Sequence, residues 1–140
     1  GDPLSMVLVT GQKSWSPGDT FAVFKGSTSS SATGPEFGFY ITTGPSLQGN
    51  VYGAPSGNES KTDDALDVWI VTSDGSTAKL YKNGSLDRTW SVGTRNLSTN
   101  IWLGSRLGTA KEFDGSIRAF AYADSEIGPE LIAEINSYTW

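Results

Sequence analysis

Leu80-Tyr81-Lys82-Asn83-Gly84 is the stretch that decides the fold. Asn-Gly between two β-prone runs is the strongest short-range hairpin signal. A two-residue type I′ turn needs φ > 0 at both central residues, and Asn and Gly tolerate that best. The strand leading in covers 77–82, and the chain returns over 87–92. Just upstream, Asp74-Gly75 marks a second turn, reached from Leu66-Asp67-Val68-Trp69-Ile70-Val71-Thr72. That run is nearly continuous in β-branched and aromatic residues, which predicts a central strand covered on both faces.

Further out, the chain breaks into short strand candidates separated by turn clusters. They lie at 7–10, 21–25, 37–42, 101–103 and 117–122, with a weak one at 50–53. Turns are expected at 16–19 and 43–46, and polar loops at 26–35 and 54–62. Strands recurring about every ten residues suit a sandwich or jelly roll. One helix is expected near the end. Gly128 serves as N-cap, Pro129 fits the first helical position, and Glu130 lies where the helix dipole favours an anion. Leu131, Ile132, Ile135 and Tyr138 form its apolar stripe, so it reads as a plug or brace at one end of the sandwich.

Composition narrows the chemistry. The length of 140 residues predicts one domain over 1–140, with 1–5 read as a tag remnant ahead of Met6. There is no Cys, so no disulfide framework and no thiolate metal site is expected. There is no His, which removes the usual triad partner and the commonest metal ligand. The net charge is −5, and the 10 basic residues are scattered singly, so nucleic acid is not an expected partner. No apolar run reaches membrane-spanning length. Abundant Gly, Ser and Thr suggest an extracellular, cell-surface or virion-surface setting.

The order of these motifs resembles the laminin-G-like, concanavalin-A-like jelly-roll domains, over roughly 66–138. Leu80, Tyr81, Asn83 and Gly84 match the family's "LYxNG" hairpin. Ile101-Trp102-Leu103-Gly104 resembles its "LxIG" strand, and Phe113, Gly115 and Ile117 its "FxGxI" strand. The resemblance implies an all-β, concanavalin-A-like jelly-roll β-sandwich with one short C-terminal helix. It also implies a rigid scaffold that binds something, sometimes with one Ca²⁺ at the rim. Two departures stand out. Arg118 and Ala119 follow Ile117 where the family commonly has acidic residues, and little chain precedes Trp15. The N-terminal edge is therefore expected to be short or completed by another chain, and self-association into a homo-oligomer follows from that.

Ligand candidates come from the aromatic and amide side chains. A pyranose offers an apolar C–H face to an aromatic ring and hydroxyls to Asn, Asp, Gln or Arg. Trp15, Asn50, Tyr52, Arg88, Trp90 and Arg106 are the residues expected on loops or strand ends to make such contacts, while Trp69 and Trp102 read as core. Asp63, Asp64 and Asp67 cluster before the central strand, without calcium-loop spacing, and read as a solvated turn; no cofactor is expected. Glu112-Phe113-Asp114-Gly115-Ser116-Ile117 begins the "ExDxxE" glucanase pattern but has Ile at the second Glu. With no triad either, the sequence reads as no enzyme. Asn58, Asn83 and Asn96 lie in Asn-x-Ser sequons. The leading expectation is a lectin-like module that binds a glycan or polysaccharide. The alternative is a structural or adhesion module of a virion, phage tail fibre or surface assembly with protein partners.

Overall fold

The computed structural model describes residues 2–12, 20–25, 37–41, 46–51, 54–56, 59–60, 66–92, 101–104, 113 and 115–140. The strands are β1 Leu4–Gln12, β2 Thr20–Lys25, β3 Phe37–Ile41, β4 Ser46–Val51, β5 Ala54–Pro55, β6 Glu59–Ser60, β7 Leu66–Ser73, β8 Thr77–Lys82, β9 Ser85–Ser91, β10 Ile101–Leu103 and β11 Gly115–Ala123; one helix follows, α1 Pro129–Ser137. They form two antiparallel sheets, ordered β11-β1-β7-β8-β9 and β10-β2-β3-β4-β5, with β6 also pairing β4. The fold is an all-β sandwich with one short C-terminal helix.

Alternation along each strand builds the layers. In β7, Trp69 and Val71 point between the sheets, where they meet Leu4, Met6 and Leu8 of β1, Phe37 and Phe39 of β3, and Leu47 and Val51 of β4. Phe37 and Tyr122 stack across the two sheets at 5.1 Å and 7°. The intervening residues Val68 and Ile70 point the other way, joining Val7, Val9 and Ile132 in a second cluster. Both faces of β7 are thus dry, as its composition predicts. Each fully buried aliphatic side chain contributes about 1.5–3 kcal/mol relative to exposure. The second cluster corrects the expected position of the helix. α1 lies flat on the outer face of the first sheet and does not plug an end. Its stripe is also narrower than expected: Ile132 is buried, whereas Leu131 and Tyr138 are 44% and 66% exposed.

The hairpin forms as its sequence dictates. Asn83 has φ 49° and Gly84 φ 82°, the two positive values a type I′ turn needs. Asn83 also ties the turn to β7. Its backbone N–H donates to Val68 O at 2.8 Å, and its Oδ1 accepts from Val68 N at 2.8 Å. Its Nδ2 donates to Asp67 Oδ1 at 2.9 Å. The sequon asparagine is therefore a three-bond clasp between the turn and the central strand.

At the other end of β7, Asp74 Oδ1 accepts from the backbone N–H groups of Ser76 and Thr77 at 2.8 and 2.7 Å. The Thr77 and Ser76 bonds hold its carboxyl below the ordinary value of 3.8. A depressed folded-state pKa gives stability that is complete above 3.8 and is lost as pH falls through the lowered value. Asp74→Asn keeps an acceptor oxygen but cannot titrate. The difference in melting temperature between the parent and D74N is expected to shift across the acid range and to be constant at neutral pH. Parallel acid-titration curves for the two proteins would contradict the assignment.

The N-terminus differs from expectation. β1 begins at Leu4, pairs with β11 on one side and β7 on the other, and is interior to its sheet. Leu4 and Ser5, placed in a tag remnant by the sequence, are 0% and 2% exposed. Ser5 Oγ donates to Ser125 O at 2.7 Å and accepts from Ile127 N at 2.9 Å. No short N-terminal edge exists for another chain to complete, so the motive for self-association falls away.

β4 differs too. The sequence places a turn at 43–46 and a weak strand at 50–53, whereas the strand covers Ser46–Val51. The two-residue strands β5 and β6 lie in what reads as a polar loop. Gly49 explains part of this. A Cβ there would come within 2.8 Å of Val71 Cγ2 and 3.7 Å of Trp90 Cη2, so the facing sheet requires a residue of poor strand propensity.

Candidate functional site

The strands of the second sheet place one sequence candidate, Asn50, where the sequence did not. Leu47 and Val51 turn into the core, and Gly49 faces Val71. By alternation Asn50 lies on the opposite, outward face of β4. It is inside a strand, at 3% exposure, and not on a loop or strand end. The ladder extends its row across the sheet: Asn50 pairs with Gly38 and Pro55, Gly38 with Phe24, and Phe24 with Trp102. A second row holds Phe21, Tyr40 and Gln48 by register. Ile101 packs against the core, so Trp102, its neighbour in β10, belongs to the outward face. Trp102, read as core from the sequence, is half-buried on that face.

Hydrogen-bond satisfaction singles out this row. Asn50 Oδ1, Trp69 Nε1, Thr72 Oγ1 and Trp102 Nε1 are buried without a hydrogen-bond partner among the described residues. Leaving such an atom unpartnered costs about 1–3 kcal/mol, so each calls for an explanation. Trp69 sits in the sandwich core, and Thr72 lies on the face beneath α1. Asn50 and Trp102 share one row, an acceptor and a donor with Gly38 and Phe24 between them in the register. Three inter-strand steps separate them, about 14 Å. Neither row contains a charged residue.

The other candidates fall elsewhere. Arg88 and Trp90 lie on β9, at the edge of the first sheet; Arg88 is exposed and Trp90 packs against the core. Trp90 faces Gly49 across the sandwich, so the sheet itself separates it from the Asn50 side chain. Trp15, Tyr52 and Arg106 lie outside the described residues, as do Asp63 and Asp64. Asp67 is not the solvated turn residue it was read as. It is 4% exposed, accepts from Asn83, and has Lys82 Nζ at 3.9 Å. Lys82 Nζ also sits 5.1 Å from the Trp69 ring centroid, a cation–π distance. This cluster locks the hairpin base. Among the described residues no group of three or more acidic side chains could hold a metal, and no helix is long and apolar enough to cross a membrane.

A separate recess of about 150 Å³ lies between α1 and the β1–β11 pair, lined by Val7, Ala121, Ile127, Leu131 and Ile135 among others. Its walls are mostly aliphatic, with Ser5 and Tyr122 also in the lining.

No family model and no curated protein matches the chain. Solved structures do. A sialidase of Trypanosoma rangeli is 10% identical over 96% of this chain and 22% of its own, with a TM-score of 0.77. The same enzyme in complex with sialic acid gives 11%, 96%, 23% and 0.78. The binding domain of botulinum neurotoxin serotype C1 is 15% identical over 97% of this chain and 36% of its own, with a TM-score of 0.72. A further structure, described as showing that entry of botulinum neurotoxin type C depends on two ganglioside molecules, gives 16%, 96%, 35% and 0.71. The chain spans less than a quarter of the sialidases and about a third of the toxin domain. At these identities the likeness shows the fold.

The reading of the chain as no enzyme is corrected by this result. Enzymes are among the proteins that carry this fold over nearly the whole length of the chain. The missing His and the broken "ExDxxE" pattern speak against two mechanisms within these residues. They do not speak to the chemistry of a chain in which such a sandwich is one part.

Proposed function

We propose that this domain binds glycans. The observation that carries the reading is the fold itself. The sandwich is shared, over 96% of the chain, with proteins whose structures were described with sialic acid or in terms of gangliosides. Within that fold, the Leu80–Gly84 hairpin and the Phe113, Gly115, Ile117 strand support a laminin-G-like, concanavalin-A-like membership. An extracellular or cell-surface location fits this partner. The rival reading, a structural module of a virion or surface assembly, rested partly on an incomplete N-terminal edge, which β1 does not have. A glycan array probed with the whole chain tests the proposal. Retention of a related set of glycans is expected, and an array with no binding above background would overturn it.

A further inference from the structure

We propose that Asn83 is a site of covalent modification that the fold holds shut. While its clasp on β7 is closed, the Asn83-Gly84 step is inert. When the hairpin opens, the backbone nitrogen of Gly84 attacks the Asn83 side chain and converts it irreversibly to aspartate or isoaspartate.

Local chemistry makes this step the labile one. Asn83-Gly84 is the one Asn-Gly pair in the chain. Loss of the Gly84 amide proton to solvent base leaves a nitrogen that closes a five-membered ring on Asn83 Cγ. Glycine has no side chain to crowd that closure. The Gly84 N–Cγ bond forms, the Cγ–Nδ2 bond breaks, and Nδ2 leaves as ammonia with a proton from water. Water then opens the cyclic imide. Opening at one carbonyl gives aspartate. Opening at the other routes the backbone through the side chain, as isoaspartate. Both residues are exposed, so base and water reach them.

The clasp opposes the attack. Oδ1 accepts from Val68 N at 2.8 Å, and Nδ2 donates to Asp67 Oδ1 at 2.9 Å. These partners lie on β7, 15 and 16 residues earlier in the chain, and they fix both ends of the amide. Ring closure must swing Cγ onto the nitrogen of the next residue, which gives up both bonds. The leaving nitrogen also needs a proton, and the carboxylate bonded to it only accepts.

Conversion is one-way in structure as well as in chemistry. An aspartate here puts an acceptor oxygen where Nδ2 stood, against an Asp67 that is 4% exposed. Isoaspartate adds a methylene to the backbone of a turn that has room for two residues only. Neither product can close the clasp again, so a modified chain keeps a record of having opened.

The test is peptide mass spectrometry for aspartate and isoaspartate at position 83. The whole chain is incubated at mildly alkaline pH, folded and in urea. The folded chain is expected to convert about thirtyfold or more slowly, the cost of releasing two hydrogen bonds, one of them to a carboxylate. Asp67→Ala removes that acceptor and should speed conversion about tenfold. Asp67→Asn keeps an acceptor oxygen and should stay near the parent. If D67A does not fold, amide exchange at Val68 in the parent decides, because its N–H is bonded to Asn83 Oδ1. Conversion and Val68 exchange should then rise together as urea is added. Asn83→Asp, which makes one product directly, should melt below the parent. A folded chain that converts as fast as the unfolded one would overturn the proposal. So would a folded D67A protein no faster than the parent, conversion while Val68 stays protected, or an N83D protein as stable as the parent.

Discussion

Gly84→Val is expected to destabilise the domain by about 3 kcal/mol, from two separable causes. The first is conformational. Gly84 has φ 82°, a region in which a β-branched residue is a genuine outlier. Strain of that kind costs about 1–3 kcal/mol. The second is steric. A Cβ at Gly84 would lie 2.8 Å from Asn136 Nδ2, 2.9 Å from its Cγ and 3.3 Å from its Cβ. The turn therefore packs on the last part of α1, and a side chain there would push the helix from its seat on the first sheet. The two causes come apart with a second substitution. Asn136→Ala in the G84V background should recover the part of the steric cost due to Nδ2 and Cγ and leave the backbone part. Urea unfolding of the four proteins closes the cycle. A G84V protein that unfolds with the parent would remove the type I′ turn, and with it the principal motif behind the fold assignment.

The residues that made the fold legible act locally. Asn83-Gly84 and Asp74-Gly75 set turns through their own backbones, and the run from Leu66 to Thr72 is apolar enough to announce burial on both sides. Gly128, Pro129 and the isoleucines of α1 act in the same way. What stayed hidden depends on distant partners. Ser5 looks like part of an unpatterned leader, yet its hydroxyl is buried because Ser125 and Ile127 bond to it from the far end of the chain. Ser46-Leu47-Gln48-Gly49-Asn50 has weak strand propensity, and its place follows from Val71 and Trp90 in the other sheet. The candidate site was half legible. Asn50 has the chemistry of a sugar ligand, but its polarity suggested a loop, where the ladder puts it on a sheet face. Trp102 sits in an all-apolar triplet, so nothing in Ile101-Trp102-Leu103 says which residue faces out.

Gly115→Ala is expected to cost about 1–3 kcal/mol, near the upper end, although Gly115 is exposed and its φ is ordinary. Exposure is a poor guide here because crowding comes from one side only. A Cβ at Gly115 would stand 2.5 Å from Gly11 O and 2.7 and 2.8 Å from Phe113 Cζ and Cε1. This gives the "F-x-G" spacing its physical reason. Phe113 folds back over its own strand to pack on the core, and only a residue without a side chain leaves it room. The ring can turn aside and lose burial. The Gly11 carbonyl cannot, because it belongs to the β1 backbone beside the Gln12–Gly115 pair. Among the described residues β11 pairs with β1 alone, so the strain is relieved by peeling at the start of β11. Two measurements follow. G115A should lower the urea midpoint, and its amide exchange should accelerate at 115–117 more than at 119–122. Phe113→Leu in the G115A background should restore only part of the loss, since the carbonyl contact remains. A G115A protein with the parent's midpoint and exchange pattern would mean that β11 does not begin against Gly11.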